Sequence, residues 1–214
     1  AQLARMKFPV GRWGGTPTSR YNWQNNAWNA GNDYLYLNNA AGPSADAFIT
    51  ETRNSGSEPL MAVPILGWVA KDSFSYGFSI GKYGAMHGNE CSLFGNFGGC
   101  NGDMGDGFHA DMSPVAGNDP LDTSTASTSA LATAWKAHIA ANTGSAAAGG
   151  VKYFGLDNEP MLWNYSHRDV HPAGVTYDEH WQKGRDTAAA LKAADPAVQV
   201  VGPNEWGWCG WLDS

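Results

Sequence analysis

A polar cluster, Asp157-Asn-Glu-Pro160, directly follows the apolar run of residues 151–156, and its residue types could cleave a glycosidic bond. That reaction needs a carboxylic acid to protonate the leaving oxygen and a donor to hold the neighbouring sugar hydroxyl. Glu159 has the reach for the first task, and the adjacent Asn158 offers an amide for the second. The structural alternative is a glutamate that caps the next helix, with Asn158 in a turn.

The elements that would position this cluster alternate between strand-like and helix-like patterns. Buried-strand runs are expected at residues 7–13, 60–68, 151–156 and 198–202, and helices at residues 44–54, 127–142 and 176–191. This alternation is typical of βα units around a mostly parallel sheet. In a βα barrel, catalytic groups gather at the carboxyl ends of the strands, which is where Asp157-Asn-Glu-Pro160 falls.

The segment of residues 73–123 breaks the alternation. It is rich in Gly, Asn and Asp with scattered aromatic residues, and a structureless loop of that length is improbable in a compact domain. We expect an irregular but ordered insertion, with room for a small hairpin. Asp103, Asp106 and Asp111 suggest a hard-cation loop with oxygen ligands, although turn-forming Asp and Gly is the simpler interpretation.

Three cysteines bear on the compartment in which the protein works. Cys91 and Cys100 lie nine residues apart in a Gly-rich stretch, a spacing that a disulfide can close, and Cys209 is left over. An exported protein with one small disulfide loop fits this pattern, and three free thiols are the alternative. The first eight residues lack the apolar core of a signal peptide, so a secreted chain would be a processed one.

Composition and charge narrow the class of partner. The net charge of −7 and the pI near 5.2 argue against nucleic acid or an anionic membrane surface. No apolar run approaches the roughly 20 residues of a membrane span. Only 15% of residues are charged, below the usual share of about 25%. Neutral polar groups and ten tryptophans stand in their place, as a surface for uncharged sugars requires.

A series of segments resembles, in order along nearly the whole chain, those of glycoside hydrolase family 44. The segments are Gly11-Arg-Trp-Gly-Gly15, Ser19-Arg-Tyr-Asn-Trp-Gln24, Ala70-Lys-Asp72, Gly117-Asn-Asp-Pro120, Leu156-Asp-Asn-Glu-Pro160, His167-Arg-Asp-Val-His-Pro172, Val201-Gly-Pro203 and Trp206-Gly-Trp208.

The resemblance implies a retaining endo-β-1,4-glucanase or xyloglucanase with Glu159 as its acid/base. The implied fold is a (β/α)8 barrel with a small β-sandwich domain formed by the two ends of a longer chain. No cofactor is required, and structural calcium is known among relatives, which adds weight to Asp103 and Asp106 as ligands. The partner would be a β-glucan such as carboxymethylcellulose, xyloglucan or mixed-linkage glucan, bound by a secreted monomer.

The number of strands limits this expectation. Four or five strand runs are credible, whereas a closed barrel needs eight, so residues 1–214 should be the N-terminal part of the catalytic domain. The family places its nucleophile, a second glutamate, on a strand far downstream of the acid/base and beyond residue 214. The alternatives are a non-catalytic carbohydrate-binding half-barrel and a metal-stabilised structural domain.

Other residues are expected to bind substrate around Glu159. Glu205 lies at a probable strand end, as a sugar-binding or structural carboxylate, with the role of nucleophile disfavoured. An arginine on a catalytic glutamate would favour the ionised form, so Arg12 should hold other polar groups, and Arg20 is equally well explained by a structural salt bridge. Two or three of six tryptophans are expected to line a groove as sugar platforms, each with burial in the core as its alternative. The candidates are Trp23, Trp28, Trp68, Trp163, Trp206 and Trp208.

Overall fold

The computed structural model describes residues 8–95 and 99–208, in which strands and helices alternate along the chain. The strands are β1 (Val10–Trp13), β2 (Ala27–Asn29), β3 (Asn38–Ala40), β4 (Glu58–Val63), β5 (Trp68–Ala70), β6 (Ser124–Ala126), β7 (Tyr153–Leu156) and β8 (Gln199–Val201). The helices are α1 (Ala45–Asn54), α2 (Ile80–Tyr83), α3 (Glu90–Phe94), α4 (Ser129–Thr143), α5 (Trp163–Ser166) and α6 (Tyr177–Ala194). Cys209 lies outside the described residues.

The main sheet contains four strands in the order β1-β4-β7-β8, and every neighbouring pair is parallel. The long helices α1, α4 and α6 each connect one of these strands to the next. Met61 and Phe154, which pair between the central strands, are both fully buried, as expected for a parallel sheet covered on both faces. The predicted α/β fold with a parallel sheet is confirmed, and the carboxyl ends of all four strands share one edge.

The three predicted long helices are confirmed, with ends set by identifiable caps. Ser44, Thr128 and Thr176 are the N-caps of α1, α4 and α6, and each side chain accepts a hydrogen bond from a backbone N–H of the first turn. Gly144, with φ of 87°, follows the last residue of α4, a conformation that glycine adopts without strain. Helix α6 ends at Ala194, ahead of Asp195-Pro196, as the sequence predicts.

The prediction of one continuous strand over residues 60–68 is wrong. Strand β4 ends at Val63, Pro64 follows, and Trp68 begins β5, which pairs antiparallel with β6 in a separate two-stranded sheet. Proline cannot donate to a ladder. The next two amides, of Ile65 and Leu66, donate instead to a side-chain carboxylate. An apolar run alone does not reveal such a break, because both pieces are buried.

The described residues of the insertion, 73–95 and 99–123, are ordered and contain two short helices, α2 and α3, and several isolated bridges. The predicted disulfide between Cys91 and Cys100 is confirmed, with their Cα atoms 5.2 Å apart. An isolated antiparallel bridge between Phe108 and Pro114 is the feature nearest to the expected hairpin. The guanidinium of Arg168 lies over the ring of Phe108 and donates to two backbone carbonyls of the insertion, which fixes it to the segment after α5.

A buried ion pair joins the segment after β1 to the segment after α5 and contacts Thr123 at the end of the insertion. Both carboxylate oxygens of Asp169 accept from Nη1 of Arg20, at 2.8 and 2.7 Å, and both side chains are fully buried. The other terminal nitrogen of Arg20 donates to the hydroxyls of Thr123 and Ser124. The salt-bridge interpretation of Arg20 is therefore confirmed. Within the described residues no helix is both long and apolar enough to cross a bilayer.

Removing the charge of Asp169 should destabilise the fold strongly. In Asp169→Asn the guanidinium of Arg20 stays buried without its counter-charge, which we expect to lower the free energy of unfolding by about 3–5 kcal/mol. Urea unfolding followed by tryptophan fluorescence measures this change. The control is Asp186→Asn, since Asp186 pairs with Arg185 at 3.4 Å with both side chains about half exposed, and such pairs contribute at most about 1 kcal/mol. Equal shifts for the two variants would contradict this account.

Candidate active site

The turn after β7 has an unusual backbone. Asp157 and Glu159 adopt left-handed conformations, with φ of 56° and 51°, on either side of Asn158. Residues other than glycine in this region cost roughly 1–3 kcal/mol each and concentrate at functional sites. The turn ends at Pro160, which opens a 3-10 turn over Pro160–Leu162. The strain therefore lies on the two carboxyl-bearing residues of the cluster that the sequence singled out.

The carboxylate of Asp157 is the anchor of this turn. Its Oδ2 accepts from the backbone N–H groups of Ile65, at 2.6 Å, and Leu66, at 3.1 Å. Its Oδ1 accepts from the backbone N–H of Asn158, at 2.9 Å, and from Nε1 of Trp163, at 3.1 Å. Complete burial raises the pKa of Asp157, and its hydrogen bonds oppose that rise. Each carboxylate oxygen accepts from two N–H groups of the protein, and the residue has no exposed surface. We therefore interpret Asp157 as a structural residue.

Asn158 is held in a fixed orientation. Its Oδ1 accepts from Nη2 of Arg12 at 2.8 Å and from the backbone N–H of Gly15 at 3.2 Å, and its carbonyl accepts from the hydroxyl of Ser19. Its Nδ2 donates to Oε2 of Glu159 at 3.2 Å. The structure thus brings Arg12, Asn158 and Glu159 together, as the sequence predicted. An amide nitrogen carries two hydrogens, so one further donor remains for a ligand.

Glu159 presents its carboxyl group at the carboxyl edge of the sheet. Its side chain is partly exposed, and its backbone N–H donates to the carbonyl of Asn204 at 2.8 Å. A carboxyl that is accessible, oriented by a neighbouring amide and fixed through its own backbone can transfer a proton to a bound ligand.

Glu205 follows β8, and its side chain is buried beside the turn that carries Glu159. Its side chain is only 3% exposed, its Oε2 accepts from the backbone N–H of Met161 at 3.3 Å, and its Oε1 lies 3.5 Å from Nδ1 of His180. Burial raises the pKa of Glu205, and the negative charges of Asp157 and Glu159 add to this effect. These contacts favour the structural alternative for Glu205 over sugar binding, because its carboxyl is enclosed by the turn and by α6.

The candidate tryptophans differ in how much of each side chain is exposed. Trp163 has no exposed surface and donates to Asp157, so its prediction as a sugar platform is wrong and the core alternative holds. Trp23 is half-buried with its ring 4.9 Å from that of His138 on α4, and Trp68 is half-buried against the cluster that contains Trp163. Trp28 packs against the main core cluster. Trp206 and Trp208, shortly after β8, are 55% and 82% exposed, and their rings are available for stacking.

The expected cation loop does not fit a metal ion. The carboxylate of Asp103 accepts from Tyr76, Ser79 and the backbone N–H of Gly81, and Asp106 accepts from the backbone N–H of Phe108 and lies 2.9 Å from a His87 ring nitrogen. Over residues 8–95 and 99–208, no three His, Cys, Asp or Glu side chains form a group that could hold a metal ion. The two aspartates instead order the insertion through hydrogen bonds.

The sequence interpretation missed Asn204, whose carbonyl accepts from Glu159. Its side-chain amide also donates to the carbonyls of Leu156 and Asp157, at 3.2 and 3.0 Å. A signal was present, because an Asn-Glu dipeptide follows both β7 and the adjacent β8, at Asn158-Glu159 and Asn204-Glu205. Two like dipeptides at the same edge of neighbouring parallel strands are expected to lie close together.

A parallel sheet flanked by helices, with an accessible and oriented glutamate at a strand's carboxyl end, is typical of glycoside hydrolases. The model of "Glycoside hydrolase family 44" matches residues 27–214, and the chain belongs to this family.

Curated relatives support the same assignment. The chain is 25% identical over 219 residues to "Endoglucanase A" of Paenibacillus lautus, covering 94% of this chain and 28% of the relative. It is 26% identical over 216 residues to "Beta-mannanase/endoglucanase A" of Caldicellulosiruptor saccharolyticus, covering 94% of this chain and 15% of the relative. The chain therefore spans less than a third of either protein.

Solved structures show the fold. CelM2, described as a bifunctional glucanase-xylanase from a metagenome library, has a TM-score of 0.89 and 39% identity, with 98% of this chain and 41% of CelM2 covered. A xyloglucanase of the same family from Paenibacillus polymyxa has a TM-score of 0.68 at 22% identity, with 94% and 39% covered, and shows the fold alone.

Asp157→Asn should destabilise the fold because an amide cannot accept from all four donors. At least one buried N–H would lose its partner, and we expect the free energy of unfolding to fall by about 1–3 kcal/mol. Urea unfolding checks this. Asp111→Asn, at an exposed turn residue, is the control and should stay within about 0.5 kcal/mol of the parent. A variant as stable as the parent would show that the carboxylate is not the anchor described.

Proposed function

We propose that this chain is the N-terminal part of the catalytic domain of a retaining endo-β-1,4-glucanase in which Glu159 is the general acid/base. The orientation of Asn158 carries the proposal. Arg12 and Gly15 occupy its oxygen, so its nitrogen is directed at the Glu159 carboxyl. A sugar bound here would meet an acid and a hydrogen-bond donor side by side at an accessible strand end.

The proposed chemistry has two steps. Glu159 first protonates the leaving oxygen while a nucleophilic carboxylate forms the glycosyl-enzyme, and it then acts as base for the water that releases the sugar. The second amide hydrogen of Asn158 would hold the 2-hydroxyl. The nucleophile must lie about 5–5.5 Å from the acid/base. Asp157 and Glu205 are enclosed and bonded to the protein. The resemblance to family 44 implies a nucleophilic glutamate on a strand far downstream of the acid/base, so we assign that role to a glutamate beyond residue 214.

The proposed architecture is a (β/α)8 barrel with a small β-sandwich domain. The four parallel strands follow one another in the sheet in chain order, with helices α1, α4 and α6 between them, as consecutive units of a barrel do. The chain overlays on CelM2 over 98% of its own length but covers only 41% of CelM2, so the four units described here correspond to part of a larger structure.

The substrate class follows from the neutral, aromatic character of the chain and from its relatives. Proteins named as endoglucanase, beta-mannanase/endoglucanase, glucanase-xylanase and xyloglucanase all act on polysaccharides. We propose a β-1,4-glucan, such as carboxymethylcellulose, xyloglucan or mixed-linkage glucan, as substrate of a secreted monomer. The Cys91–Cys100 disulfide supports export, since disulfides persist in oxidising compartments.

The second candidate function is carbohydrate binding without catalysis. The enclosure of both other described carboxylates at the turn, those of Asp157 and Glu205, favours it, because neither is free to attack a sugar. Under this alternative the exposed Trp206 would provide the binding surface and Glu159 would only donate or accept hydrogen bonds.

Glu159→Gln in the full-length gene product should lower kcat on polysaccharide by about 10²–10⁴-fold, because the amide cannot donate the required proton. The loss should be much smaller for the bond-breaking step of an aryl cellobioside, whose phenolate leaves without protonation. Azide, a nucleophile that needs no base, should then restore release of the sugar. Reducing-end and chromogenic assays measure these rates.

The control is Glu58→Gln, the same change at an exposed residue at the opposite, amino end of β4. It should keep parental kcat and KM. If Glu159→Gln hydrolyses polysaccharide as fast as the parent, the acid/base assignment is wrong. If the parent binds xyloglucan without cleaving it and Trp206→Ala abolishes binding, the protein is a binding module.

A further inference from the structure

The strained turn that carries Glu159 is held by residues from the neighbouring strand end. The carbonyl of Asn204 accepts from the Glu159 N–H at 2.8 Å, and its side-chain amide donates to the carbonyls of Leu156 and Asp157. These three peptide groups lie around the two left-handed residues, Asp157 and Glu159. One side chain and one carbonyl thus fix the backbone on both sides of Asn158.

The space for Asn204 is provided by a glycine in β7. A Cβ added to Gly155 would lie 2.7 Å from Nδ2 of Asn204, closer than such atoms approach. Gly155 is buried in the strand and has no positive φ, so the turn chemistry of glycine does not explain it. Its lack of a side chain is what lets the amide of Asn204 reach the strand's last carbonyls.

Glu205 holds the other side of the same turn. Its Oε2 accepts from the N–H of Met161, two residues after Glu159, and its Oε1 faces His180 on α6. The side chain is enclosed, so these contacts are made away from solvent. The groups of Asn204 and Glu205 together contact the backbone from Leu156 to Met161.

From these contacts we infer that Asn204 and Glu205 are positioning residues that fix the acid/base Glu159, and that Gly155 leaves the space that the Asn204 side chain occupies. This inference rests on the proposed function. Two left-handed residues persist only where the surroundings over-determine them. Misplacement of a catalytic group by about 1 Å can cost on the order of 10²-fold in rate. The positioning residues act through Glu159 and do not touch the sugar.

Asn204→Ala in the full-length gene product should lower kcat on polysaccharide by about 10- to 100-fold and change KM by less than about 3-fold, because the sugar-binding groups stay in place. The loss should largely disappear for the bond-breaking step of an aryl cellobioside, which needs no proton. A merely structural defect would lower the rates on both substrates by the same factor.

Gly155→Ala tests the same inference without substituting either positioning residue. Its Cβ should displace the Asn204 amide, so kcat should fall as in Asn204→Ala. The Gly155→Ala/Asn204→Ala double variant should have a kcat no lower than that of the weaker single variant. The control is Gly174→Ala, at an exposed glycine with only one atom, 3.9 Å away, near its added Cβ and no positive φ. It should behave as the parent.

Glu205 separates positioning from direct catalysis. Glu205→Gln keeps an oxygen acceptor for Met161 and should retain kcat within about 3-fold, whereas Glu205→Ala should lose about 10-fold or more. Complete loss in Glu205→Gln would show that its carboxylate reacts with sugar and would overturn the inference, as would full activity in folded Asn204→Ala and Gly155→Ala.

Parent and Glu159→Gln are assayed alongside. An inactive parent, or an active Glu159→Gln, refutes the proposed function and the inference with it. An active parent, an impaired Glu159→Gln and unimpaired positioning variants refute the inference alone.

Discussion

The Asp157 carboxylate is the interaction on which the rest of the site depends. It joins the ends of two neighbouring strands, because it lies at the end of β7 and accepts from the amides of Ile65 and Leu66 that follow β4. Burying a carboxylate is unfavourable unless it is hydrogen-bonded, and four N–H donors meet that condition. The same bonds end β4, bury Trp163 and require the left-handed conformation from which Asn158 and Glu159 project.

The dipeptides Asn158-Glu159 and Asn204-Glu205 show that the same residue types take different roles when their backbone conformations differ. In the first, left-handed residues direct the Glu159 side chain outward, partly exposed. In the second, Asn204 and Glu205 have no positive φ, and both side chains fold back onto the neighbouring turn. The accessible glutamate is thus backed by an enclosed one, and their chemistry differs because their surroundings differ.

The sequence predicted most of the scaffold because its periodic signals are local. The apolar runs located the parallel strands, the helical patterns of residues 44–54 and 127–142 located two helices, and the cluster after β7 was recognised at its strand end. The break after Val63 had a local signal in Pro64, which the apolar run of residues 60–68 masked. The carboxylate that accepts from the next two amides could not be identified from the sequence, because it lies about ninety residues away. The burial of Trp163 and Glu205 was missed for a related reason: residue type does not say whether a ring or carboxyl faces solvent or a neighbouring element.

The position of Arg12 explains how a cation can serve this site without disabling it. A guanidinium bound directly to an acid/base carboxyl would favour the ionised form, which has no proton to donate. Among the salt bridges of the described residues none joins Arg12 to Glu159, and Arg12 donates to Asn158 instead. The neutral amide therefore transmits orientation from the arginine to the glutamate while separating their charges. Asparagine suits this position because it accepts on one side and donates on the other, which neither aspartate nor serine does with the same fixed geometry.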